Sequence, residues 1–134
     1  MIVVFDTNVI ASAIFWPPCT ARRCLAGLAR RQFQLALTTE IVNEYVVTCT
    51  TLRTQRPVQD PAGPLAWILS RALHVTPALL GKQRSRDARD DPFLACALAA
   101  NASFIVTNDR DLLALGKPFG VSIVTPAEFL RRLD

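Results

Sequence analysis

The sequence predicts an α/β protein: a three-layer α/β/α sandwich around a central parallel sheet of about five strands. Three observations carry that expectation. Short β-branched apolar runs alternate with amphipathic stretches along the chain, which is the pattern of βαβ units. The first run, Met1 to Phe5, is continuously apolar, as in a strand buried on both faces. The helical stretches also open on cap chemistry, most clearly at Thr38, Asp91-Pro92 and Thr125.

The elements follow in order. After the first strand, Asp6-Thr7-Asn8 supplies cap residues, and Val9 to Phe15 continues as a helix that Pro17-Pro18 breaks. Thr20 to Arg31 reads as a second helix, apolar at Cys24, Leu25 and Leu28. Phe33 to Leu37 is the second strand. Thr38 or Thr39 caps a helix to about Leu52, with Ile41, Val42, Tyr45, Val46 and Cys49 on one stripe. Residues 56–64 hold three prolines and a glycine and read as a loop. Leu65 to Leu73 is helical and His74 to Thr76 a short strand. Gly81 to Arg89 is a polar, basic connection. A helix follows from Asp91-Pro92 to about Asn101. Ser103 to Thr107 and Val121 to Val124 are the last two strands, and Thr125-Pro126-Ala127-Glu128 opens the final helix with a capping-box pattern.

At 134 residues the expectation is one domain, residues 1–134, large enough to fold without a disulfide or structural metal. Hydrophobic residues make up 51% of the chain, which excludes a disordered chain. No apolar run reaches the roughly 18 to 20 residues of a membrane span, and the first is too short for a signal peptide. The expected location is the cytoplasm, with no membrane partner. Cys19, Cys24, Cys49 and Cys96 have no CxxC spacing and read as reduced thiols. The net charge of +4 favours an anionic partner, and Arg84, Arg86, Arg89 and Arg110 are candidate contacts to RNA phosphates.

Acids are scarcer than bases, 11 against 15, and their placement is informative. Asp6 directly follows the first strand. Asp109 follows the fourth by two residues. Asp91 opens the helix before that strand, and Glu44 lies one turn after Glu40 beside an apolar stripe. If strands one and four are neighbours, these carboxylates face one crevice at the carboxyl edge of the sheet. Four carboxylates brought together repel one another, and a Mg²⁺ or Mn²⁺ ion relieves that conflict with oxygen ligands at about 2.0 to 2.2 Å. Such a site suits hydrolysis of a phosphodiester. Thr7, Asn8 and Thr107 are candidates to orient the cage, with Asp90 and Asp111 as auxiliary acids and Asp87 as a loop acid. One histidine, His74, excludes a two-histidine ribonuclease mechanism and disfavours a Ser-His-Asp triad.

Four segments in order, Ile-Val-Val-Phe-Asp6-Thr-Asn-Val-Ile, Thr-Glu-Ile-Val-Asn-Glu44-Tyr, Arg-Asp-Asp91-Pro-Phe-Leu-Ala-Cys-Ala-Leu and Val-Thr-Asn-Asp109-Arg-Asp-Leu-Leu, resemble the PIN domain. The resemblance covers essentially the whole chain and extends to the VapC-type toxins of bacterial toxin–antitoxin pairs. It implies a Mg²⁺- or Mn²⁺-dependent endoribonuclease with Asp6, Glu44, Asp91 and Asp109 as the acidic site. It also implies a homodimer held inactive by a small antitoxin. Many relatives have glycine where Asn108 stands. A haloacid-dehalogenase-type phosphatase is a poorer match, because the second aspartate it needs is Asn8 here. A response-regulator receiver is poorer too, since no lysine follows Val124. A non-catalytic RNA-binding or interaction module with a PIN-like fold stays open.

Overall fold

The computed structural model describes all 134 residues. Its strands are β1 (Ile2–Phe5), β2 (Gln34–Leu37), β3 (Leu73–His74), β4 (Phe104–Val106) and β5 (Ser122–Val124). Its helices are α1 (Thr7–Phe15), α2 (Thr20–Ala29), α3 (Thr39–Gln55), α4 (Ala62–Arg71), α5 (Asp91–Ala100), α6 (Arg110–Leu113) and α7 (Pro126–Leu133). The strands form one parallel sheet in the order β3-β2-β1-β4-β5, so the predicted three-layer architecture is the observed one.

The winding reverses at β1. Strands β2 and β3 are laid to one side of it and β4 and β5 to the other. Right-handed crossovers then put α5, which packs on β1, β2 and β4, on the opposite face from α1 and α2. Helix α7 returns to pack on α2. Phe129 of α7 lies in an aromatic cluster with Phe5, Phe33 and Phe104, with ring centroids 5.2 to 6.0 Å from its own. Gly27 makes the close approach possible, since a Cβ there would stand 2.9 Å from the Phe33 ring and 3.1 Å from Leu133.

The helices begin where cap chemistry directs them. Thr38 Oγ1 accepts the Ile41 amide, and Thr125 Oγ1 accepts the Glu128 amide. Several boundaries depart from the sequence expectation: α2 stops at Ala29, short of Arg31 with its positive φ, α3 runs on to Gln55, and three more departures have a clear physical reason. Helix α4 starts at Ala62 rather than Leu65, because Pro64 falls in the first turn, where a missing N–H costs nothing. Strand β3 is only the pair Leu73–His74, shifted one residue earlier. It is an exposed edge strand, and the Val75 amide adds one last bond to Leu37 O. The turn after β4 closes into α6, a single helical turn. Phe15 is fully buried, while Trp16 beside it is exposed under the Arg56 guanidinium. Trp67 is half-buried against the core rather than inside it. All four cysteines are free thiols, three of them buried, and burial holds Cys24 at about 11 and Cys96 at about 12, so both are protonated at neutral pH. No helix is long and apolar enough to cross a membrane.

Candidate metal centre

Strands β1 and β4 are hydrogen-bonded neighbours with Phe5 opposite Val106. The ladder runs one step further, the Asp6 amide donating to Val106 O at 3.0 Å. Asp6 and Thr107 therefore lie side by side at the carboxyl edge. Thr107 Oγ1 donates to Asp6 Oδ2 at 2.6 Å and accepts the Asp109 amide at 2.9 Å. One fully buried hydroxyl thus ties the first acid to the backbone of the next. Asp6 Oδ1 accepts the Thr7 amide at 2.8 Å. Burial raises the pKa of Asp6; the bonds from Thr107 and Thr7 oppose that rise, and the charge on Asp109 adds to it.

Asp109 caps α6, its Oδ1 accepting the Asp111 amide at 2.8 Å. This turn sets Asp109 and Asp111 together, and Asp90 joins them. The three residues each offer a carboxylate oxygen within 4.8 Å of the others. Asp90 is 6% exposed. It ends a 3₁₀ turn, Ala88–Asp90, that runs directly into α5, and its Oδ2 accepts the Ser85 hydroxyl at 3.1 Å. Burial, followed by the charge on Asp109, pushes the Asp90 carboxyl up to about 7.

Asp91, which the sequence reading places in the cage, is not among the three acids that converge. Both of its oxygens face the preceding loop: Oδ2 accepts the Arg84 amide at 3.0 Å and Oδ1 the Ser85 amide at 2.8 Å. The cap role shifts by one residue because the 3₁₀ turn makes Asp90 the last residue before the helix and Asp91 its first. Successive residues on a helix point about 100° apart. When Asp91 reaches back to the loop, Asp90 points to the acids.

Glu44 is half-buried on α3. It borders a cleft of about 440 Å³ with Glu40, Ala88, Arg89 and Pro92. Burial raises its pKa; the Thr7 hydroxyl beside it favours the charged form, and Asp6 and Glu40 disfavour it. Thr7 Oγ1 is buried and close enough to Glu44 to favour its charge, but it closes no hydrogen bond of full geometry with any group. Tyr45, one residue on, donates its hydroxyl to Phe5 O and so pins α3 to the end of β1. Tyr45 reads as an apolar stripe residue in the sequence, and its burial beside Glu44 was the only signal of this role. Ser85 was missed altogether, being a small hydroxyl within an arginine-rich loop.

The remaining candidates divide. Asn8 is exposed. Asp87 pairs with Arg89 at 2.8 Å on the surface. The Arg84 guanidinium donates to Leu80 O. Arg86 and Arg110 are exposed. The only other ion pair is Arg53–Asp60, so no lysine or arginine neutralises Asp6, Asp90, Asp109 or Asp111.

A partly buried set of oxygen donors, with Asp6, Glu44 and Asp90 held above the ordinary carboxylate range, and a buried hydroxyl beside it suit a hard divalent cation. Residues 2–111 match the PIN domain family, and the chain belongs to it. Its fold is of the VapC-like form. It superposes on VapBC2 from Rickettsia felis, solved with a fragment of promoter DNA, with a TM-score of 0.60 at 21% identity over 92% of this chain and 97% of that one. PAE2754 from Pyrobaculum aerophilum gives 0.61 at 20% identity over 98% and 88%. FitAcB from Neisseria gonorrhoeae gives 0.55 at 19% over 93% and 98%. No curated protein matches the chain by sequence.

Proposed function

We infer that this protein is a Mg²⁺- or Mn²⁺-dependent endoribonuclease and the toxin of a toxin–antitoxin pair. The observation that carries the reading is the unneutralised cluster of Asp90, Asp109 and Asp111 beside Asp6 at the sheet's switch point. We assign Asp6, Asp90 and Asp109 as the cage, with Asp111 and Glu44 completing it. Asp91 becomes a positioning residue that holds the 84–85 loop. A divalent ion bound there would acidify water and screen the charge of an RNA phosphate.

The chain's own groups define the rest. Thr107 and Thr7 hold the Asp6 carboxylate in one rotamer. Ser85 does the same for Asp90. Burial and the charge on Asp109 push the Asp90 carboxyl up to about 7, so it is partly protonated at neutral pH. Thr7 Oγ1 has an open hydrogen-bond position for water between Asp6 and Glu44. Arg86 and Arg110 offer exposed guanidiniums to RNA phosphates. The fold's likeness to VapBC2 and FitAcB supports an antitoxin partner; a homodimer and action in the cytoplasm are part of the same proposal.

Protein freed of any antitoxin is expected to cut RNA with Mn²⁺ or Mg²⁺, stop on addition of EDTA, and lose activity in Asp6→Asn. Equal degradation by wild type and Asp6→Asn would assign the activity to a contaminant.

A further inference from the structure

We propose that the cleft between Lys82–Arg84 and Leu115–Phe119 is a stacking subsite for an unpaired base of single-stranded RNA, adjoining the acid cluster. The proposal rests on the ribonuclease reading for the kind of substrate. Its residues lie outside the acids assigned to the cage.

The cleft has a volume of about 450 Å³ and is lined by Lys82, Gln83, Arg84, Leu115, Pro118 and Phe119. That volume is within the range of sites that enclose small planar ligands. No acid lines it. Phe119 is 44% exposed and has a left-handed backbone, φ 54° and ψ 24°. A residue with a Cβ is strained there, and glycine is the usual occupant. Gly116 and Gly120, also at positive φ, follow that rule. Phe119 departs from it, as Arg31 and Asn101 do elsewhere, and its ring stays out of the core and half exposed, with the Arg84 guanidinium as its charged neighbour.

The Arg84 guanidinium lies 5.3 Å from the centre of the Phe119 ring. It is held in place by bonds of 3.3 Å from Nε and 2.9 Å from Nη2 to Leu80 O. Gln83 Nε2 is engaged by Ser85 O and Arg86 O, which leaves Oε1 to accept from a base edge. Lys82, exposed at the rim, brings a cation for a phosphate. An exposed ring, a guanidinium plane and a lysine are the groups that grip unpaired bases. A duplex, whose bases are stacked inward, cannot use the ring.

Both walls are built outward from the acids. One wall is tied to them through the Arg84 amide on Asp91 and the Ser85 hydroxyl on Asp90. The other continues from Asp109 and Asp111 through α6 to Leu115, whose amide closes on Leu112 O. The cleft and the cluster therefore rest on the same two segments, so a base held in the cleft would be positioned by the elements that position the acids.

The test measures binding in EDTA, so that the cage has no part in it. The ligands are a single-stranded RNA oligonucleotide carrying 2-aminopurine and a duplex of the same length. Phe119→Gly removes the ring and suits the left-handed backbone; Phe119→Tyr keeps the ring. Phe119→Gly is expected to weaken single-strand binding about 5- to 100-fold, the scale of one lost stacking contact, and to abolish 2-aminopurine quenching. Duplex affinity should stay unchanged, and Phe119→Tyr should behave as wild type. The cleft is rejected if wild type binds no single strand, if Phe119→Gly binds it as wild type does, if both ligands weaken together, or if Phe119→Tyr is no better than Phe119→Gly. Wild type that binds and quenches but never cuts with Mn²⁺ would reject the nuclease reading and keep the cleft. Wild type that cuts, with Phe119→Gly matching its kcat and KM, would do the reverse.

Discussion

The most direct test of the cluster is Asp90→Asn in the absence of divalent ions. Asp90 ionises at 3.8 when unperturbed and at about 7 in the folded protein, chiefly because it is buried and next because Asp109 is beside it. A carboxyl raised in this way binds its proton more tightly folded than unfolded. Its contribution to stability is then best at low pH and falls as pH rises from about 4 to about 7. At about 1.4 kcal/mol per pH unit, the interval from 3.8 to about 7 sets a ceiling of about 4 kcal/mol on the penalty above pH 7. Asparagine keeps the shape and an acceptor for the Ser85 hydroxyl but carries no charge. It does need a partner for its NH₂, which reduces the gain to about 2 kcal/mol.

Urea denaturation in EDTA is expected to show Asp90→Asn more stable than wild type by about 2 kcal/mol at pH 8. At pH 4.5, where wild-type Asp90 is protonated in the fold and its penalty is only about 1 kcal/mol, the same amide cost should leave the variant less stable than wild type by about 1 kcal/mol. Adding Mn²⁺ at pH 8 should reverse the order. An ion at 100 times its Kd stabilises wild type by about 2.7 kcal/mol, and the variant should gain little. A gain of equal size at both pH values would mean that asparagine acts through packing. A loss at pH 8 would mean that Asp90 bears no electrostatic penalty, and the cluster reading would fail with it.

Asp91→Asn, one residue away, should behave oppositely. It loses one of two charge-assisted bonds to the 84–85 amides and should cost about 1 to 3 kcal/mol, while Mn²⁺ affinity measured by titration calorimetry stays at the wild-type value. Thr107→Val leaves Asp6 Oδ2 and the Asp109 amide without their shared partner. Denaturation should show a loss of about 1 to 3 kcal/mol together with weaker Mn²⁺ binding, and Thr107→Ser should restore most of both. If valine costs nothing, the hydroxyl bridge does not organise the site. Gly27→Ala should lower stability by about 1 to 3 kcal/mol through overpacking against Phe33 and Leu133, with Mn²⁺ affinity unaffected; a neutral outcome would show that α2 can move away from α7.

The parts of the site legible in the sequence were those tied to strand ends. Asp6 follows a run apolar enough to fix β1, and Asp109 follows β4 by two residues, so both fall at the carboxyl edge of any parallel sheet containing those strands. The choice between Asp90 and Asp91 was not legible. Asp91-Pro92 has the composition of a helix cap, and the preceding 3₁₀ turn, which depends on Asp87 O accepting the Asp90 amide, leaves no periodic pattern in three residues. Helix α6 escaped for the same reason, since four residues are too few for a stripe. Strand β3 slipped by one residue because an exposed edge strand has no buried face to fix its register.

The pairing of charges argues that the cage is completed from outside the chain. With 15 basic residues against 11 acids, a protein built only for stability could place a guanidinium among Asp6, Asp90 and Asp109. The nearby cations are directed elsewhere. Arg89 clasps Asp87 on the surface, and Arg84 turns to Leu80 O and Phe119. The site instead relies on threonine, serine and backbone donors, which orient carboxylates without cancelling their charge. Orientation without neutralisation keeps the oxygens convergent and the local field negative. A basic side chain would remove that field. A divalent ion would use it, and would be held less tightly as Asp90 takes up its proton below about pH 7. The geometry therefore carries its own prediction: Mn²⁺ affinity should rise between pH 6 and pH 8 in wild type, and calorimetry showing it flat across that range would mean that the acids do not act as one site.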